Sequence, residues 1–312
     1  MSSFSSDRPR IVRPERVDDL IDSGLMARLE RLDVVSRKIF SGRVQGERRS
    51  RRRGMSVEFA DFRPYVHGDD LRFVDWNIYG RLDRLFMKIF LEEEDLSLVI
   101  AVDTSGSMDW GNPNKFEYAR RLAMALGYIG LVNHNRVSLC SFGELGGQQR
   151  LSNLRGRRRT REMGQWLLEL EAGGAGTFDE AMKSVAHARM GRGVMVVLSD
   201  FLFKDGYERG LRAVAGRGFD VFAVQMLSPE ELDPGPKGLS GDVKLVDLED
   251  EEETEVTVSQ KVLGAYRDNL NRYCGALREY CVRRDITHML VDSSTNLEVL
   301  LTEYFRRRGL LR

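Results

Sequence analysis

From Asp95 onward the chain alternates strand and helix, and two of its strands are apolar at nearly every position. Leu96-Ser-Leu-Val-Ile-Ala-Val102 and Val194-Met-Val-Val-Leu198 have no polar face to turn to water. Strands of that kind are stable only when covered on both sides, the condition of a parallel sheet flanked by helices. Between them the period changes. Phe116, Ala119, Leu122, Ala123, Leu126 and Ile129 form one stripe of a predicted helix over 114–132. Further helices are expected over 159–171, 178–190, 205–216, 260–284 and 296–308, and further strands over 136–142, 149–151, 220–227 and 286–291. This rhythm predicts an α/β fold with a doubly wound, mostly parallel sheet over 95–312. A hairpin insertion is expected near 242–259, with Glu249-Asp-Glu-Glu-Glu253 as its solvated turn.

Residues 1–40 read as a polar tail and an amphipathic helix from Val17 to Phe40, with a potential break at Gly24. Residues 41–94 open with Ser41–Gly54, which holds six arginines and one glutamate. Expected strands at 56–59 and 85–91 follow, the second also compatible with a helix. The segment is too short for a core of its own and is expected to pack on the main domain. The result is an N-terminal helical and short-strand extension on the α/β domain.

Composition removes several function classes. The 48 basic and 48 acidic residues balance, so no net charge draws the chain to nucleic acid or membrane. Three cysteines without a C-x-x-C pair make no disulfide framework. The four histidines form no H-E-x-x-H, so a zinc site is not expected. No apolar run reaches the roughly 18 residues of a membrane span. The N-terminus has no basic and apolar leader, so a cytoplasmic protein is expected. Gly173-Gly-Ala-Gly-Thr177 lacks the lysine of a P-loop, so the chain should not hydrolyse ATP itself.

The chemistry sits at strand ends. Asp103-Thr-Ser105-Gly-Ser107 follows the first apolar strand, Asp200 follows the second, and Thr177 closes a glycine-rich loop before a predicted helix. In open α/β sheets ligands bind at the carboxyl ends of strands. Asp103, Ser105, Ser107, Thr177 and Asp200 are two carboxylates and three hydroxyls, hard donors that suit Mg²⁺ or Mn²⁺. Each motif has a plainer reading. The serines fit a turn, Thr177 with Glu180 fits a capping box, and the aspartates fit polar strand ends. Three separate segments delivering oxygen donors to one sheet edge favour the metal. Mg²⁺ takes six ligands, so a position is left for an Asp or Glu carboxylate of a partner. Within the chain, Asp109 is the nearest candidate.

These residues resemble the metal-ion-dependent adhesion site of the von Willebrand factor A fold, over about 95–312. Upstream, Glu58-Phe59, Arg63-Pro-Tyr65, Gly68-Asp-Asp70, Arg72 and Asp75-Trp76 resemble a bacterial domain-of-unknown-function family, number fifty-eight. The resemblance implies a sheet of the von Willebrand factor A type. It implies Ser105, Ser107 and Thr177 as direct ligands, with the aspartates acting directly or through water. It also implies a MoxR-type AAA+ ATPase as partner, because the family is encoded beside such ATPases. Many members carry membrane helices or lose metal-site residues; this sequence has no such helix and keeps all five residues.

The function expected is a non-enzymatic, Mg²⁺-dependent interaction module between that ATPase and a client protein. Arg48, Arg49, Arg51, Arg52 and Arg53 would dock an acidic partner surface. The alternatives are an Arg-rich nucleic-acid-binding protein and, third, a metal-dependent hydrolase. Salt separates the first two, since phosphate binding weakens by about 0.9 per contact on a log–log plot.

Overall fold

The computed structural model describes residues 13–36, 58–91, 96–143, 149–174, 178–188, 193–234, 241–246 and 253–312. In chain order the strands are β1 (Glu58–Pro64), β2 (Phe86–Leu91), β3 (Ser97–Asp103), β4 (Arg136–Phe142), β5 (Arg150–Leu154), β6 (Gly193–Ser199), β7 (Asp220–Leu227), β8 (Gly241–Val246), β9 (Glu253–Val258) and β10 (Thr287–Asp292). Two units form, Met1–Gly42 with Leu96–Arg312, and Arg43–Asp95.

The first unit is built on a six-stranded sheet of order β10-β7-β6-β3-β4-β5. Its neighbours are parallel except β5, which runs antiparallel to β4. The connection 143–149 is too short for a crossover, which needs about a dozen residues, so β5 can only turn back. β3, β6 and β7 are buried at every position. Alternate residues of β3 serve two cores, as the period of 2 requires. Leu98, Ile100 and Val102 pack with the Lys115–Val132 and Thr160–Glu169 helices, whereas Val99 and Ala101 pack with the Phe178–His187 and Glu208–Ala215 helices. Gly193 pairs with Ser97, and a Cβ there would lie 1.9 Å from the Ser97 carbonyl oxygen. Only glycine lets β6 approach β3 this closely.

The expected single helix from Val17 to Phe40 is corrected. Helices span Val17–Leu20 and Ser23–Leu29, and the break falls at Ile21 and Asp22, not at Gly24. Asp22 causes it, because its carboxylate accepts the Leu25 N–H at 2.9 Å and caps a new helix. Beyond Leu32 the chain is extended and pairs with the C-terminal residues. Val35 N–H donates to the Leu310 carbonyl at 2.9 Å and Arg312 N–H to the Asp33 carbonyl at 3.1 Å. The apolar spacing nevertheless marks burial, since Leu20, Leu25, Leu29 and Leu32 all join the core.

In the second unit β1 and β2 pair antiparallel, and the helix Trp76–Leu82 lies between them in sequence. The motif residues hold the connecting turns. Arg63 donates twice to Asp69, at 2.7 and 2.8 Å, and Asp69 accepts the Val66 N–H at 3.0 Å. Arg72 pairs with Asp70 at 2.6 Å. Asp75 caps the Trp76–Leu82 helix through Asn77 and Ile78 N–H and pairs with Lys88 at 3.1 Å. The Gly68–Asp70 stretch is thus a charged turn tied to arginines. β8 and β9 pair as an antiparallel hairpin. Arg48, Arg49, Arg51, Arg52, Arg53 and most of the acidic turn before Glu253 lie outside the described residues.

Candidate metal centre

Strand order reverses at β3, with β4 on one side and β6 on the other. A crevice opens at such a switch point, outside the carboxyl ends of the strands. Asp103 ends β3 there, Ser199 ends β6, and Asp200 follows it directly. Asp103 is wholly buried. Its Oδ1 accepts the Ser105 N–H at 2.9 Å, and its Oδ2 accepts the Ser199 hydroxyl. The Ser105 and Ser107 Oγ atoms lie 3.1 Å apart. Two of the three motifs therefore converge on one edge.

The third approaches them. Gly173 N–H donates to the Thr104 carbonyl at 2.8 Å, and Gly106 N–H to the Gly174 carbonyl at 2.9 Å. The glycine loop is stitched to the Asp103–Ser107 turn. Thr177 itself lies outside the described residues. Across the turn, Thr104 N–H and Oγ1 both donate to the Phe142 carbonyl. Next to it Gly143 cannot be larger, since a Cβ would meet Thr104 Oγ1 at 2.3 Å.

Asp200 is held from three sides. Its Oδ1 accepts the Leu202 N–H at 3.0 Å, its Oδ2 accepts Lys115 Nζ at 2.8 Å, and Gln225 Nε2 donates to its carbonyl at 3.2 Å. The next residue, Phe201, has φ +59°, a conformation that is strained for a bulky side chain. Aromatic packing holds it: Phe201 sits edge-on to Phe178, Phe203 and Tyr207, and the Tyr273 hydroxyl donates to its carbonyl.

Lys115 is the residue that sequence reasoning missed. Its Nζ also donates to Glu231 Oε1 at 2.6 Å, on the short Pro229–Leu232 helix after β7. One signal was available: a cation at the first turn of a helix opposes the helix dipole, so a lysine there needs carboxylates nearby. Asp109 is taken by Arg13 at 2.8 Å and Asn114 at 3.0 Å.

The electrostatics show what the site lacks. Burial, and then the Asp200 carboxylate, push Asp103 up to about 7, against the pull of the Ser199 and Ser105 hydrogen bonds. For Lys115, burial works to lower the ammonium's pKa, but Asp200 and Glu231 outweigh it and the net shift is upward. The ammonium thus serves Asp200 and Glu231 and leaves Asp103 uncompensated. Among the described residues no three His, Cys, Asp or Glu side chains cluster as a metal site. The donors here are two carboxylates and hydroxyls, a set that fits a hard divalent cation and not zinc or copper.

His288 reaches the site through Gln225. Its Nε2 lies 3.1 Å from Gln225 Oε1, which orients the Gln225 amide toward Asp200. Burial first, then Arg278 and Arg308, hold His288 down at about 4. The folded state therefore binds fewer protons than the unfolded chain between about pH 4 and the unfolded value near 6.5. Stability should fall as pH drops through that window, by about 2 kcal/mol after allowance for partial exposure. Urea titrations at pH 7 and pH 4.5 should show the loss, and His288→Gln should remove most of it. An equal pH dependence in that variant would assign the effect to other groups.

The family described as "Protein of unknown function DUF58" matches residues 61–273. The chain belongs to the DUF58 family. The match runs from β1 into the Gln260–Val282 helix and includes every candidate ligand. Similar proteins include the uncharacterized proteins Rv1480 of Mycobacterium tuberculosis and Mb1516 of Mycobacterium bovis, each 27% identical over 320 aligned positions and covering 98% of both chains. Among solved structures, the conserved hypothetical protein BatB of Bacteroides thetaiotaomicron is 14% identical, with a TM-score of 0.40 over 68% of this chain and 98% of that one. The pilus adhesin SpaC of Lactobacillus rhamnosus GG is 12% identical, with a TM-score of 0.45 over 71% of this chain and 31% of that one. No helix among the described residues is long and apolar enough to cross a membrane.

Proposed function

We propose that this protein is a divalent-cation-dependent protein-interaction module of the von Willebrand factor A type, acting without catalysis as partner of a MoxR-type AAA+ ATPase. Asp103, Ser105, Ser107, Thr177 and Asp200 would hold Mg²⁺ or Mn²⁺. The observation that carries this reading is the meeting of Asp103 and Asp200, both buried, at the switch point, with the Ser105 and Ser107 hydroxyls beside them. The cation supplies positive charge at a dry edge, where an Asp or Glu of the client or the ATPase can bind. The chain's own residues do the rest. Ser199 and Ser105 N–H aim the Asp103 carboxylate, and Gly173 and Gly174 hydrogen-bond to Thr104 and Gly106 of the Asp103–Ser107 turn. The ATPase as partner rests on the resemblance of the Arg63–Trp76 segment together with the Asp103–Ser107 motif.

Complex formation is expected to need the cation. The test is capture of the ATPase by the full chain with and without chelator, and by Ser107→Ala. Among the described residues the Ser107 hydroxyl hydrogen-bonds to the Ser105 hydroxyl, and its loss should leave the fold intact. Capture should fail in chelator and in Ser107→Ala. A folded, metal-depleted Ser107→Ala that binds the ATPase with unchanged affinity would move the interaction surface elsewhere.

A further inference from the structure

Lys115 has no exposed surface, although it opens a helix at the end that disfavours a cation. A buried ammonium persists only when fixed carboxylates offset its desolvation. Both of its carboxylates are fixed from behind. Glu231 Oε2 accepts the Ser228 N–H at 2.7 Å within a capping box, and Asp200 Oδ1 accepts the Leu202 N–H at 3.0 Å. The ammonium is therefore clamped between two immobile anions, and one of them is a candidate metal ligand.

The charge count gives this clamp a consequence. Two carboxylates, Asp200 and Glu231, face the one ammonium of Lys115, at 2.8 and 2.6 Å, so the clamp holds one more negative than positive charge. Removing the lysine would raise that negative excess beside the candidate cation site.

We propose that Lys115 is the positioning and charge-setting residue of the cation site: it holds the Asp200 carboxylate and biases the centre toward divalent over trivalent ions. The proposal rests on the metal reading of Asp103 and Asp200. Lys115 is a resident cation that shares Asp200 with the bound ion. Its charge repels a trivalent ion more than a divalent one, because the Coulomb energy scales with the ion's charge.

The experiment measures Mn²⁺ and Tb³⁺ affinities by calorimetry on the full chain and follows their ratio through a charge series. Glu231→Gln lowers the negative excess by one, and Lys115→Met raises it by one. The double variant Lys115→Met with Glu231→Gln restores the wild-type charge without the ammonium. The Tb³⁺ preference should rise at least tenfold in Lys115→Met and fall at least tenfold in Glu231→Gln, with the double variant returning toward wild type. If Lys115→Met does not fold, wild type, Glu231→Gln and the double variant still form the series. A ratio that stays constant, while Mn²⁺ binding still requires Asp103, would reduce Lys115 to a structural ion pair and leave the metal reading standing. Wild-type protein that binds neither ion through Asp103 would overturn both.

Discussion

Asp103→Asn is expected to abolish the stabilisation of this protein by Mg²⁺ while leaving the metal-free fold as stable as wild type or more so. The two halves of that result have one cause. Asp103 is wholly buried, and its carboxylate is pushed up to about 7 by burial and by Asp200, so its charge is a cost that the Ser199 and Ser105 hydrogen bonds only partly offset. Asparagine keeps the shape and can still accept the Ser105 N–H, but it removes the charge. In chelator the variant should melt at or above the wild-type temperature. In saturating Mg²⁺ the order should reverse. A ligand that binds only the folded state adds about 2.7 kcal/mol at a hundred times its dissociation constant, and the variant forgoes that gain. Asp103→Ala should lose the Mg²⁺ response in the same way. Calorimetry showing equal Mg²⁺ affinity in wild type and either variant would remove Asp103 from the metal site.

Glu117→Ala is expected to destabilise the first unit by about 3–5 kcal/mol. Arg120 is 3% exposed, and its guanidinium donates to the Glu117 carboxylate at 2.6 and 2.7 Å. Its Nη1 donates to the carbonyls of Leu167, Leu168 and Leu170, at the end of the Thr160–Glu169 helix that leads into the glycine loop. Removing Glu117 leaves a buried cation uncompensated. The double variant Glu117→Leu with Arg120→Met should recover most of the loss, since a buried ion pair is replaced by apolar side chains at little net cost. Urea unfolding of the single and double variants measures both effects. A loss below about 1 kcal/mol in Glu117→Ala would mean that water reaches Arg120.

The central strands were legible because burial on both faces leaves no room for a polar residue. β3 and β6 are apolar runs, and their ends place Asp103 and Asp200. The hairpin β8–β9 and the Lys115–Val132 helix stand within a few residues of their expected spans. The direction of β5 follows from connection length, which is also visible in one dimension. The Val17–Phe40 segment was not legible as a single element. Its apolar spacing reported burial correctly, but helix continuity was decided by Asp22 capping Leu25 and by the pairing of residues 33–35 with the C-terminus.

The parallel sheet, both carboxylates at strand ends and the family-specific turns could be read along the chain, because each depends on local pattern or on adjacent residues. That β3 and β6 are neighbours, that Lys115 reaches Asp200 and Glu231, and that Gly173 and Gly174 are stitched to Thr104 and Gly106 emerges only on folding. Those partners are separated by up to 116 positions. Their interaction depends on burial and on the few ångströms between charges, and neither quantity exists until the chain is folded.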